Sequence, residues 1–232
     1  MRGKEIVVFT GAGISAESGL GTFRGTGGLW ENISIEEVAT PDGWKADPQK
    51  VLDFYNARRQ QVRQAQPNPA HYALAELARH YPVSLITQNI DNLHERAGSR
   101  NVLHLHGEIM KARSTKNPQL IYDLGKNDIV IGDLCELGSQ LRPHVVWFHE
   151  DVPEFPKAAE IAGNADVLLV VGTSLAVFPA ASLIEYVAHE TPAYVVSPEL
   201  ESIPVNIIWY REKAAAKVPE LVKRWTQNCV IP

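Results

Sequence analysis

The chain has 232 residues, of which 45% are hydrophobic and 21% charged, and a formal net charge of -5. These are the statistics of one large folded core, and they exclude a disordered or fibrous chain. A net acidic chain lacks the clustered cations that hold a phosphate polymer, so no nucleic-acid partner is expected. No run approaches the roughly 20 apolar residues needed to cross a bilayer, so no membrane partner is expected either.

Glu5 to Phe9 is a β-branched and aromatic run ending at Gly11 and Gly13, which predicts a buried strand entering a tight turn, with a helix from about Ser15. No signal-peptide hydrophobic region precedes it, and the two cysteines, Cys135 and Cys229, suit a reducing compartment, so a cytoplasmic location is expected. Gly19 to Trp30 is glycine-rich and reads as a long loop. Pro48 to Arg63 and Pro67 to His80 carry helical spacing, and Val83 to Thr87 and Val102 to Leu105 return to strand. Glu108 to Arg142 is polar and turn-rich, without clear periodicity. Val145 to Phe148, Ala165 to Val171 and Ala193 to Val196 read as strands, and Ala214 to Trp225 as a closing helix. Alternating strands and helices predict an α/β fold: a Rossmann-like parallel sheet covered by helices on both faces, with a small inserted subdomain. The expected division assigns 1–24, 66–108 and 145–232 to the large domain and 25–65 and 109–144 to the insert.

Three segments carry candidate chemistry. Gly11-Ala12-Gly13-Ile14-Ser15-Ala16 matches G-x-G-x-x-A after a strand, which suits either a pyrophosphate on a helix N-terminus or a plain tight turn. No second strand ending in an acidic residue follows about 20 residues later, which removes most support for hydride transfer. Thr87-Gln88-Asn89-Ile90-Asp91-Asn92 follows a strand end, where amides and a carboxylate hold ribose hydroxyls and a carboxamide, or where Asp91 or Asn92 caps a helix. In Val102 to Gly107, strand alternation puts His104 and His106 on one face, so one histidine is a candidate general base, with a core histidine or a metal pair as alternatives.

Taken in order, the blocks GAGISAESGLGTFRG (Gly11 to Gly25), TQNIDNLHERAG (Thr87 to Gly98), LHLHGE (Leu103 to Glu108) and GTS (Gly172 to Ser174) resemble the sirtuins, the NAD-dependent protein lysine deacylases, over nearly the whole chain. The resemblance implies an enzyme that takes NAD+ and acylated lysine side chains of proteins to nicotinamide and O-acyl-ADP-ribose. It implies cofactor contacts from Gly11, Ala12, Gly13, Ser15, Ala16, Glu17, Thr22, Phe23, Arg24 and Trp30, and from Gln88, Asn89, Ile90, Asp91 and His106. Gly172, Thr173, Ser174, Ser197 and Ala214 complete that set, with His106 as base and Asn89 and Asp91 beside it in the catalytic group. Val145, Val146 and Phe148 are implied to line the acyl-lysine channel. Sirtuin-like ADP-ribosyl transfer is the alternative activity, with NAD-dependent oxidation and reduction behind it.

The chain departs from the family pattern in places. Gly21 and Thr22 replace Pro-Asp, His149 replaces the glycine of F-G-E, and Ser197 replaces an asparagine. The family carries two C-x-x-C pairs in the insert, whereas this chain has Cys135 there and Ser114 near another cysteine position. One thiolate does not make a tetrahedral zinc site, so no zinc is expected, and packing of Leu120, Ile121, Leu134 and Leu141 is expected to hold the insert. On the Pro48 to Arg63 helix, steps of about 100° bring Val51, Tyr55, Arg58 and Val62 into one sector, with Phe54 at its margin. Tyr55 and Arg58 on one face suit a succinyl or malonyl carboxylate, or Arg58 pairs with an acid of the chain itself. The acid-preferring bacterial deacylases of the family carry this same Tyr and Arg.

Overall fold

The computed structural model describes residues 4–22, 33–200 and 207–228. Phe23, Arg24, Trp30 and Cys229 lie outside the described residues. Six strands, β1 (Ile6–Thr10), β2 (Val83–Thr87), β3 (Val102–His104), β7 (Val167–Val171), β8 (Ala193–Val196) and β9 (Ile207–Tyr210), form one sheet in the order β3-β2-β1-β7-β8-β9. Every neighbouring pair in it is parallel.

Alternation along the buried strands divides the core in two. Ile6, Val8, Val167, Leu169 and Val171 face one layer, with α5 (Pro69–His80) and α8 (Ala214–Asn228) contributing Leu74, Leu77, Val218, Leu221 and Trp225. Val7, Phe9, Leu168 and Val170 face the other, against α7 (Phe155–Gly163) and a 3-10 helix (Ala180–Tyr186). Asn68 starts α5 with a capping box: its side chain accepts from the Ala70 N–H at 3.0 Å while His71 Nδ1 accepts from the Asn68 N–H at 3.3 Å.

The stretch read as aperiodic folds as a second, antiparallel sheet of β4 (Gly107–Ser114), β5 (Ile121–Asp123) and β6 (Leu141–Val145), in the order β5-β4-β6. Its signal was hidden because β4 shifts register between Gly107 and Ala112 and β5 is half exposed, so no strict alternation survives. Three helices, α2 (Ile35–Val38), α3 (Pro41–Ala46) and α4 (Pro48–Gln64), pack beside it.

Four expectations are corrected. The helix expected from Ser15 is a single turn, α1 (Gly13–Ala16). The run Val145 to Phe148 does not join the parallel sheet: Val145 closes β6, after which the Val146 N–H goes to the His106 carbonyl and the Phe148 N–H to the Ala39 carbonyl. β3 ends at His104, and Gly107 at φ +79° turns the chain into β4, so His106 sits on the turn and not on a strand face shared with His104. Ile121 and Leu134 do not pack the insert; they are 44% and 56% exposed, and the buried cluster there is Leu52, Ala112 and Ile129, with Leu124 and Leu141 at its edge.

What holds the insert is polar as much as apolar. Asn56 pairs twice with the Ile129 backbone, at 2.8 and 3.2 Å, and the buried Arg59 donates to the Ile109 carbonyl at 2.8 Å. Arg63 and Arg59 share Asp128, at 3.0 and 3.4 Å.

Candidate active site

The carboxyl ends of β1, β2 and β7 open onto a cavity of about 810 Å³. Ligands of open α/β sheets bind at this end. On one wall the turn after β1 presents Gly11, Ala12 and Gly13, followed by Ala16, Glu17 and Thr22. Gly172, Thr173 and Ser174 face them, close enough that the Gly13 N–H reaches the Gly172 carbonyl at 2.7 Å. A Cβ on Gly13 would stand 2.8 Å from Gly172 Cα, and Gly172 itself holds φ +65°, so neither position takes a side chain. Ala214 and Ser197 complete this wall, and Glu17 accepts from the Ala215 N–H at 2.9 Å, tying the first turn of α8 to the rim.

The polar loop after β2 forms the floor. Gln88, Ile90 and His106 line the main cavity. Ser15, Asn89 and Asp91 line a side chamber of about 10 Å³ that Ala12, Ile90 and Arg58 share. Asn89 Nδ2 donates to the Gly11 carbonyl and Ser15 Oγ, both at 3.2 Å, while Asn89 Oδ1 is buried with no hydrogen-bond partner. Ser15 Oγ donates to Asp91 Oδ2 at 3.0 Å and the Leu93 N–H to Asp91 Oδ1 at 3.1 Å, so Asp91, one residue before the N-cap Asn92, braces the start of α6 (Leu93–Arg96) and faces the chamber at once. Burial pushes the Asp91 pKa up, against these two bonds and the charges of His104 and Arg58.

His106 Nδ1 lies 3.0 Å from the Gln88 carbonyl. A carbonyl only accepts, so Nδ1 carries the proton and Nε2 keeps its lone pair. Burial lowers the pKa of this ring, the Gln88 bond opposing it, so the neutral, proton-accepting form holds at neutral pH.

The opposite wall comes from α4 and from the segment after β6. Tyr55 is buried against Trp147 and Phe54, and burial pushes its phenol pKa up. Arg58, one turn on, is half-buried; its guanidinium donates to the Gln61 side chain at 3.1 Å and the Gly21 carbonyl at 3.2 Å. The fully buried arginine of the helix is its neighbour Arg59, so the sector drawn from helical spacing has Arg58 on its border. Val145, Val146 and Phe148 line the cavity with Tyr55 and Arg58.

A model of the Sir2 family matches residues 11–179. The NAD-dependent protein deacylase of Helicobacter pylori strain J99 is 49% identical over 223 residues, covering 95% of each chain. The chain belongs to the Sir2 family. Among solved structures, a Sir2 homologue mutant in complex with ADP-ribose superposes with a TM-score of 0.91 at 41% identity, covering 99% of this chain and 95% of the other. A Sir2 complex with a peptide and NAD+ gives 0.79 at 28% identity, covering 98% and 94%.

In this Sir2 chain the residues around Cys135 do not fit a zinc site. The Cys135 thiol meets the Ser114 and Ser139 hydroxyls at 3.3 and 3.1 Å and accepts from the Leu137 N–H at 3.3 Å. Ser114 Oγ accepts from the Lys116 and Asn117 N–H groups, both at 3.1 Å. Hydrogen bonds close the space where ligands would converge, and among the described residues no group of three or more His, Cys, Asp or Glu is placed to hold a metal.

Two features of the Sir2 site escaped sequence reading. Glu150 accepts from the Trp147 N–H at 2.8 Å and from Arg142 at 2.7 Å, clamping the tight turn at His149, which holds φ +68°. Arg142 lies over the Trp147 ring at 3.2 Å. The acid was visible in sequence, but its arginine stands eight residues earlier, on a strand that went unrecognised.

Proposed function

We propose that this chain acts as an NAD-dependent protein lysine deacylase that removes acetyl groups and, preferentially, the acidic succinyl and malonyl groups. The observation that carries the preference is Arg58: it lines the cavity one turn from Tyr55, and among the described residues it makes no ion pair with an acid of the chain. A guanidinium whose bonds go only to neutral acceptors, beside a buried phenol, offers bidentate capture to a carboxylate on the acyl chain.

The residues fit NAD+. The glycines at 11, 13 and 172 let the turn after β1 and the loop after β7 meet main chain to main chain at the rim, leaving a turn with no side chain larger than a methyl at the start of α1, and the buried, unpartnered Asn89 Oδ1 awaits a donor. Gly11, Ala12, Gly13, Ala16, Glu17 and Thr22 would hold the cofactor with Gly172, Thr173, Ser174, Ser197 and Ala214. Ser15, Gln88, Asn89, Ile90 and Asp91 would hold its nicotinamide end, where it supplies an electrophilic ribose carbon and a leaving group. His106, its Nδ1 proton held by the Gln88 carbonyl, would accept at Nε2 the proton of a hydroxyl presented to it. Val145, Val146 and Phe148 line the path of the acyl-lysine.

The test incubates acetyl-, malonyl- and succinyl-lysine peptides with and without NAD+ and follows products by mass spectrometry. Nicotinamide and O-acyl-ADP-ribose are expected, with the acidic substrates turned over faster. Arg58→Met should cost roughly 10- to 100-fold in kcat/KM on succinyl-lysine, the loss of a charge-assisted contact of about 1.5–3 kcal/mol, and little on acetyl-lysine. Equal losses on both would overturn the preference, and ADP-ribose left on the peptide would replace deacylation with transfer.

A further inference from the structure

His104 and His106 stand two residues apart and address consecutive carbonyls of the same loop. His106 Nδ1 meets the Gln88 carbonyl at 3.0 Å, and His104 Nδ1 meets the Asn89 carbonyl at 2.8 Å. They differ at the other nitrogen. His106 turns toward the cavity, whereas His104 Nε2 lies 2.9 Å from Glu95 Oε1. A carbonyl and a carboxylate are both acceptors, and a neutral imidazole has only one N–H to give. Two contacts under 3 Å to two acceptors therefore require a proton on each ring nitrogen. Glu95, with its side chain 40% exposed, supplies the matching negative charge to a ring that is 7% exposed.

We propose that His104 is a positioning residue of this site: a buried imidazolium that, braced by Glu95, holds the Asn89 carbonyl and so fixes the loop that presents Asn89 and Asp91 to the cofactor. This rests on the reading of Asn89 and Asp91 as cofactor-facing groups. The bracing is specific in direction. The Asn89 amide nitrogen is already spent on Gly11 and Ser15, and the peptide plane before Asn89 is held by its N–H on Thr87 Oγ1 at 3.0 Å and by His106 on the Gln88 carbonyl, so the bond from His104 holds the plane that follows. The charge acts as well, because it lies within reach of Asp91 and opposes the effect of burial on that carboxylate.

The groups facing His104 are Glu95 and His94 of α6, Glu108 of β4 and Asp91 of the loop. Burial works against the charged ring, but the Glu95 bond and charge, the Asn89 carbonyl and the Glu108 charge outweigh it, and the His104 pKa stands above the ordinary imidazole value. Its contribution is therefore complete below about pH 6.5 and is lost as pH rises through the higher folded value. Neighbouring histidines thus take opposite protonation states, one a charged brace and the other a neutral base.

The experiment follows the imidazole nitrogens of His104 by NMR across a pH titration of the whole chain, with the NAD+ dissociation constant measured over the same range. At pH 7 both nitrogens of wild-type His104 are expected to be protonated, and NAD+ binding should weaken on the alkaline side with the midpoint of that titration. Glu95→Gln should move the midpoint down and weaken NAD+ binding about tenfold at pH 7. A wild-type ring that is neutral at pH 7 overturns the proposal, as does a Glu95→Gln chain whose ring turns neutral while NAD+ affinity and its pH profile stay unchanged. The wild-type titration needs no substitution, so poor folding of the variant leaves the test intact. Nicotinamide release by the wild-type chain is measured in parallel, and its absence would count against the deacylase reading alone.

Discussion

At His106 a single hydrogen bond decides the chemistry. The Gln88 carbonyl fixes the proton on Nδ1 and leaves Nε2 free to accept. His106→Ala should leave NAD+ affinity within about threefold while removing most turnover, a fall of 10²-fold or more, as removal of a general base entails. Calorimetric binding beside steady-state rates checks this. Because burial sets the ring's pKa below its ordinary value, the acid limb of kcat/KM is expected below pH 6.5. The motif residues Gln88, Asn89, Asp91 and His106 were legible because each belongs to a short run whose spacing survives in one dimension. Glu95 and Glu150 were not, since their partners, His104 and Arg142, stand nine and eight residues away across turns that sequence periodicity does not predict.

Among the elements, α4 joins the two sheets' surroundings. It faces the cavity with Tyr55 and Arg58 and the insert with Asn56, Arg59 and Arg63. Arg59→Met should destabilise the chain by about 2–3 kcal/mol, because the buried Ile109 carbonyl loses its donor, while Asp128 keeps Arg63. Urea unfolding of the variant against wild type measures this, and a change under ~0.5 kcal/mol would show that the clamp adds nothing. The parallel strands were legible because burial on both faces writes them as continuous apolar runs. The small sheet was not, because its register shift breaks the alternation, and β9 went unread although Ile207–Tyr210 is itself an unbroken β-branched and aromatic run, one that stays only partly buried. The apolar residues predicted to pack the insert failed because hydrophobicity alone does not say which face of a two-sided ribbon meets a core.

For the molecule as a whole, the two sheets and the segment from Val145 to Phe148 flank the main cavity, and the architecture was legible from the strand and helix alternation together with the four motif blocks. The insert is closed by hydroxyls and a thiol in place of converging thiolates. Untagged protein is therefore expected to contain well under 0.1 zinc per chain by elemental analysis, and a strong chelator should leave its melting temperature unchanged; stoichiometric zinc would refute this.

The contact between the turn after β1 and the loop after β7 also bears on how the gene can vary. A side chain at Gly172 would meet the Ile14 nitrogen at 2.2 Å, and one at Gly13 the Gly172 backbone at 2.8 Å. Both obstacles are main chain, which no second substitution removes. The two codons are thus locked independently: neither has a compensating partner, and a lineage that loses one glycine regains the site only by reversion.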